Sequence, residues 1–329
     1  MDNVKNRVNE ITEQLEQGLK ELFESKKYME YLSTMSKFHD YSFNNILLIH
    51  MQKPDASLVH GYKAWKDDFG RQVMGGEHAI KILAPAPYKK TVMRAKLDQD
   101  GNKMLDENGA EIMEKAEIKI PAFKVVNVFD ISQTTGRELP QIASELHGNV
   151  NDYDILFEAL KKSCSIPVEN EKIEKSRAMG YCTRDKIVLR EGISQMQSIK
   201  TTIHEMAHHK LHFADKKERT RESKEVEAES VAYTVCSHLG LDTSEYSFGY
   251  IAGWSTGKEM PELKASLDTI RNTASELITE IDKNFKELLF ERNTQYKKPS
   301  VLKNLNEKKK LLDDGSKQQS RAHSREEIR

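Results

Sequence analysis

His204, Glu205 and His208 stand in the run Thr201-Thr-Ile-His-Glu-Met-Ala-His208. On an α-helix, residues four apart share a face and lie about 6 Å apart along the axis. Two imidazoles so placed suit adjacent positions on a tetrahedral Zn²⁺. Glu205, one residue after the first histidine, is placed to take a proton from a water on that ion. The chemistry this spacing offers is metal-assisted hydrolysis.

The elements that must position these groups are legible nearby. From Ser194, the apolar residues Met196, Ile199, Ile203, Met206, Ala207 and Leu211 recur with helical periodicity. Ser194 with Gln197 fits a capping box at the start of that helix. A second helix is expected over Lys224-Glu-Val-Glu-Ala-Glu-Ser-Val-Ala-Tyr233, with an apolar stripe through Val226, Ala228, Val231, Ala232 and Val235. Glu225 and Glu229, four apart, share a face. Glu225 is the candidate third ligand, with Glu229 and Glu222 as alternatives; Glu229 is also placed to accept the second N–H of a ligand imidazole. His209 points away from His208 by about 100° and is expected at the surface. His212 and His238 read as packed or solvated histidines. Before the motif helix, Gly180 to Leu189 reads as a hairpin with its turn near Arg184-Asp185.

At 329 residues the chain has room for two ordinary domains, each with its own core. The net charge of −1 confines any nucleic-acid binding to a local patch. Cys164, Cys182 and Cys236 are odd in number and lack metal-ligand spacing, which suits reduced thiols and a cytoplasmic location. The N-terminus shows no apolar signal region, and no run of 18 or more apolar residues occurs, so no membrane partner is expected.

Along the chain, residues 1 to about 38 carry a helical seam, and Tyr41 to His50 continues as a buried helix ending before Pro54. Short strands follow at Leu58-Val59, Arg71 to Met74 and Ala79 to Leu83. Residues 90 to 120 read as a hairpin excursion, with turns at Asp98-Gln-Asp-Gly-Asn and Asp106-Glu-Asn-Gly109 and no calcium-loop spacing. No internal repeat is expected. Phe123 to Phe129 reads as a strand, 148–152 as a linker, and Leu263 to Leu288 as a long amphipathic helix. The charged segment 296–329 is expected to be disordered.

In the second half, Gly180-Tyr181, Ile187-Val-Leu189, His204-Glu-Met-Ala-His208 and Glu225-x-x-Ala-Glu229 together resemble gluzincin-type metallopeptidases. They are similar in particular to those fused in ArdC-type antirestriction proteins and to the ImmA/IrrE group. The resemblance implies Glu225 as third ligand, Glu205 as general base and a later Tyr or His at the oxyanion. Tyr250-Ile-Ala-Gly-Trp254 is similar to a Tyr-Ile-x-x-Trp signature of ArdC-type proteins, with core packing as the simpler reading.

In the first half, aromatics alternate with basic residues, as a single-strand groove requires, although a small sheet with an aromatic core gives the same pattern. Tyr41-Ser-Phe-Asn-Asn-Ile-Leu-Leu-Ile49, Gln52-x-Pro54, Val59-x-Gly-Tyr-x-x-Trp65, Gly70-Arg-x-Val73, Gly75-Gly-Glu77, Ile80-x-Ile-Leu-Ala-Pro85 and Val128-Phe-Asp-Ile-Ser-Gln133 resemble the ArdC N-terminal domain. Gly76 stands where that pattern carries a lysine, and His78-Ala79 where it carries Lys-Gly.

The resemblance implies single-stranded-DNA binding; candidate contacts are Tyr41, Asn44, Asn45, Tyr62, Lys63, Trp65, Arg71 and Lys81. The expectation is an α+β chain: a small mixed α/β DNA-binding domain at 1–140, a mainly helical metallopeptidase domain at 141–295, and a tail. One Zn²⁺ per chain is expected, replaceable by Mn²⁺ or another divalent ion. The expected partners are single-stranded DNA and an unidentified protein substrate. The implied role is protection of incoming DNA during conjugative transfer. The alternatives are an ImmA-like protease that cleaves a repressor, or a DNA-binding protein with an idle zinc site.

Overall fold

The computed structural model describes residues 2–23, 25–139, 153–173, 178–213, 220–241, 243, 248, 251–256 and 258–326, the last stretch from 295 by backbone alone. The expected linker at 148–152 and Tyr250 lie outside them. The chain divides into two compact units, Met1–His147 with Lys217–Ser275, and Gly148–Lys216 with Glu276–Arg329. A single cut near 140 was expected; instead Lys217–Ser275 groups with the first segment.

In the first unit, α1 (Asp2–Leu22) and α2 (Ser25–Lys37) form the expected helical pair, burying Ile11, Leu15, Leu19 and Leu22 from the seam. Next comes α3 (Phe43–Gln52), capped by Ser42, whose side chain accepts from the Asn45 amide. A three-stranded antiparallel sheet has the order β1 (Val59–Gly61), β6 (Phe123–Asp130), β3 (Ile80–Pro85). Beside it lie α4 (Tyr62–Asp67) and the pair β2 (Arg71–Val73) and β7 (Thr134–Gly136). At the end of β6 the Asp130 carboxylate caps a 3-10 turn and accepts the amides of Ser57, Leu58 and Ser132. Burial works to raise the Asp130 carboxyl, but these hydrogen bonds outweigh it and hold the group below the usual range.

From the sheet, β3 continues into β4 (Tyr88–Ala95) and β5 (Met113–Ile120) leads back into β6. The register is unbroken, from Ile80↔Val128 through Pro85↔Phe123 and Tyr88↔Ile120 to Ala95↔Met113. The stem beyond the sheet is thus a two-stranded arm about 27 Å long. At its end three strand pairs meet in a closed cycle of backbone hydrogen bonds: Lys96 N to Ile112 O, Met104 N to Lys96 O, and Ile112 N to Met104 O. The two small hairpins there are an eight-residue repeat, Lys-Leu-Asp-Gln-Asp-Gly-Asn-Lys103 and Met-Leu-Asp-Glu-Asn-Gly-Ala-Glu111. Asp98 and Asp106 each accept amides two and four residues on, and Gly101 and Gly109 take positive φ. The expected absence of a repeat is corrected: only Leu, Asp and Gly recur, because these set the turn while the other positions are free to vary.

Also in the first unit, α2 packs on α7 (Arg221–His238). Tyr28 Oη and Ser230 Oγ share a buried hydrogen bond of 2.9 Å. Ile251 and Trp254 of α8 (Ile251–Ser255) are buried, the core-packing reading of that signature. The long helix α9 (Met260–Glu326) supplies Leu263, Leu267 and Ile270 here, and its residues from Glu276 belong to the second unit. The backbone stays helical beyond 296, where a disordered tail was expected; the segment is rich in Lys, Leu, Glu and Gln, which favour helix.

The second unit holds α5 (Tyr153–Ser163), the sheet β8 (Val168–Glu171), β10 (Ile187–Arg190), β9 (Gly180–Cys182), and α6 (Gln195–His208). β10 is central, parallel to β8 and antiparallel to β9, so the expected hairpin forms. Ile187, Val188 and Leu189 are fully buried, as are Ile203 and Ala207 of α6. At Gly180 an added Cβ would lie 2.6 Å from Thr201 Cγ2 and 2.7 Å from Val188 O, so only glycine fits where β9 crosses α6. Gly180→Ala is expected to cost about 1–3 kcal/mol by overpacking. A urea midpoint unchanged from the parent's would refute this close approach.

Candidate metal centre

The motif helix begins as expected, with the Ser194 hydroxyl accepting from the Gln197 amide at 3.2 Å. Gln197 instead turns its side chain to Thr201 Oγ1 at 3.0 Å. The pitch of α6 then sets His204 above His208, with Nε2 atoms 3.0 Å apart and ring centroids 4.6 Å apart. Two nitrogens bound tetrahedrally to one Zn²⁺ lie about 3.3 Å apart, given the usual Zn–N length. The pair is therefore close to what a shared cation requires. Burial, and then the neighbouring His208 and His212, push the His204 imidazole down to about 4, leaving it neutral with a lone pair to offer near pH 7.

Glu205 is buried, with Cys182 of β9 close enough to feel its charge. After His208 the helix widens into a π-helical turn, His209–Phe213. This turn carries His212, whose ring centroid lies 5.3 Å from that of His208. The row of three imidazoles is one more than the sequence reading valued; the spacing His208 to His212 was its signal. His209 is half-buried rather than on the surface, with Nδ1 3.3 Å from Ser165 Oγ.

Within the first unit, Glu225 and Glu229 lie one turn apart on α7. The Glu229 carboxyl is raised by burial first and then by the charge of Glu225, so the two acids share one environment. Glu222, the other fallback, is exposed, and Glu227 is buried, accepting from Ser266 Oγ at 2.6 Å.

A cavity of about 360 Å³ in the second unit lies against the other side of α6, lined by Met206, Cys164, Lys210 and Leu277 among others. Met206 follows His204 by about 200° around the helix, so this cavity faces away from the imidazole pair. Burial, then Cys182 and Glu280, push the Cys164 thiol up to about 12; burial, then Glu205, do the same to Cys182. Neither thiol is a nucleophile near neutral pH.

The candidate DNA contacts separate into two groups. Trp65 is fully buried and donates Nε1–H to Phe129 O at 2.8 Å. Asn45 pairs through its amide with both backbone groups of Leu83. Arg71 bonds Thr134 and the Arg137 carbonyl, and Tyr41 Oη donates to Val59 O. These four hold the fold together, and Trp65 has no ring face to offer a base, which corrects its assignment. Asn44, Tyr62, Lys63 and Lys81 are exposed.

The fold and site define a two-unit α+β protein with a histidine pair on one face of a packed helix. Residues 1–129 match the family model of the N-terminal domain of anti-restriction factor ArdC, so the first part of the chain is an ArdC-type N-terminal domain. It is 30% identical, over 95% of its own length, to an uncharacterized protein of Bacillus anthracis, of which it spans 56%. Two crystal structures of the antirestriction protein ArdC from plasmid R388 are also similar. The metal-free one is 21% identical and the Mn(II)-bound one 20%, each with a TM-score of 0.40 and covering 75% of this chain. They are matched over 85% and 84% of their own lengths.

In the native protein, alkylation of Cys164 and Cys182 at pH 8 should be far slower than in urea, since a thiol near 12 is roughly one part in ten thousand thiolate there. Mass spectrometry after iodoacetamide treatment reads this directly. Rapid labelling of either residue in the folded protein would overturn the burial argument.

Proposed function

We propose that the chain is a single-stranded-DNA-binding antirestriction protein of a mobile element whose second half is a divalent-metal peptidase. In this reading it protects DNA entering a cell by conjugative transfer. The ArdC-type N-terminal domain supports the DNA-binding half. The observation that carries the hydrolytic half is the approach of His204 and His208 Nε2, 3.0 Å apart, beside a buried Glu205.

His204 and His208 would hold the ion, Zn²⁺ or another divalent cation such as Mn²⁺. Glu225 is the proposed third ligand, from its place on α7 in the sequence pattern. Glu229, four residues on, is proposed to orient a ligand imidazole by accepting its second N–H. A bound cation would supply Lewis acidity to a peptide carbonyl and to water. Glu205 would serve as the general base, taking a proton from the attacking water and passing it to the leaving amine. Its burial strengthens the interaction by excluding competing solvent.

The roles separate in metal analysis of the purified protein. His204→Ala and His208→Ala should lose the ion and Glu225→Ala should weaken its retention. Glu205→Gln should keep it while abolishing hydrolysis, because a general base is not a ligand. Loss of metal in Glu205→Gln as complete as in His204→Ala would overturn the role assignment. Full protection of transferred DNA by Glu205→Gln would favour an idle site, and cleavage of a repressor without single-strand binding would favour a regulatory protease.

A further inference from the structure

Along the unbroken ribbon from β3 to β6, side chains alternate between two faces. One face is the core side: Ile80, Ile82 and Val128 are buried. The opposite, outward face carries Lys81, Lys89, Lys115 and Lys119 against a single acid, Glu117. Lys89 stands directly opposite Lys119, and like charges directly opposite destabilise a strand pair. Glu117 pairs with Lys89 at 3.0 Å, and among the described residues no carboxylate pairs with Lys115 or Lys119. Phe123, on the same face and 55% exposed, offers a bare aromatic ring between the stem and the sheet.

We propose that this outward face of the β3–β4/β5–β6 ribbon is the track for single-stranded DNA, with phosphates on Lys81, Lys89, Lys115 and Lys119 and a base stacked on Phe123. The proposal rests on the single-strand reading above and locates it. A phosphate lying between Lys89 and Lys119 attracts both and offsets their mutual repulsion, and counterion release adds to the gain. An exposed ring needs an unstacked base, which a single strand offers and a duplex does not. From Lys115 to Lys81 the ribbon extends about 40 Å, long enough for several nucleotides. Beyond the stem the charge reverses with Asp98, Asp100, Asp106, Glu107 and Glu111, so the track ends before the three-way junction.

The test uses the full chain and fluorescence anisotropy of a labelled oligothymidine of about 20 nucleotides, over a range of salt. Lys89→Gln with Lys119→Gln should lower affinity at least about tenfold at low salt and reduce the slope of log K against log salt by about 1.4, the value for two single-strand phosphates. Phe123→Ala should lower affinity by about 5- to 150-fold, and Lys119→Arg should keep it. Lys90→Gln, on the opposite face, should bind as the parent does. Lys119→Gln alone should not lower the melting temperature, because it removes a repulsion; loss of binding is then not loss of fold. If the parent binds and the double variant binds equally well with the same slope, this face is excluded while the single-strand reading stands. If the parent itself fails to bind at low salt, or binds a duplex equally well, that reading falls and the track with it.

Discussion

The buried hydrogen bond between Tyr28 and Ser230 joins residues 202 apart in sequence, and much of the first unit depends on the packing around it. Tyr28, fully buried, also meets Phe248 edge-on at 5.2 Å. Further along the same helix, Ser36 reaches Ser237 at 3.2 Å. Ser230, Thr234 and Ser237 on α7 all face α2, which allows close approach without stranding a donor. As a result α7 is a core helix of the unit that carries the ArdC-type domain, buried at every position from Ser230 to Cys236. Removing the first 40 residues would expose that helix, so the N-terminal helices are integral to this unit.

What could be read from the sequence was what local geometry dictates. The helix beneath His204 and His208 follows from apolar spacing and a cap at Ser194, both independent of tertiary context. The hairpin from Gly180 to Leu189 was legible for the same reason. Trp65 was not, because aromatic residues near lysines describe a core and a DNA groove equally well; only its 0% exposure and the bond to Phe129 O decide between them. Asn45 and Arg71 were misread in the same way: a polar side chain that satisfies backbone groups cannot be told from one that awaits a ligand until its partners are known. Grouping Lys217–Ser275 with the first unit was likewise out of reach, since it depends on contacts some 200 residues apart.

The arm adds a second kind of evidence. Consistency across levels is the rule for a folded chain, and the places that break it tend to be functional. Most of the ribbon obeys that rule: Arg94 faces Glu114, Lys103 reaches Glu111, and Asp98 and Asp106 satisfy the amides of their own turns. Lys89 opposite Lys119 breaks it, and Phe123 leaves a large ring in water within the same face. Selection for stability alone would have placed an acid at one of the two lysines, as it did at Glu114 only five residues away. The cost of the repulsion is small in salt, where exposed charges are screened, and an isolated two-stranded arm gains little stability from its own contacts. The lysine pair persists in the element where stability has least to say about it, which leaves binding of an anion as the physical reason for its presence.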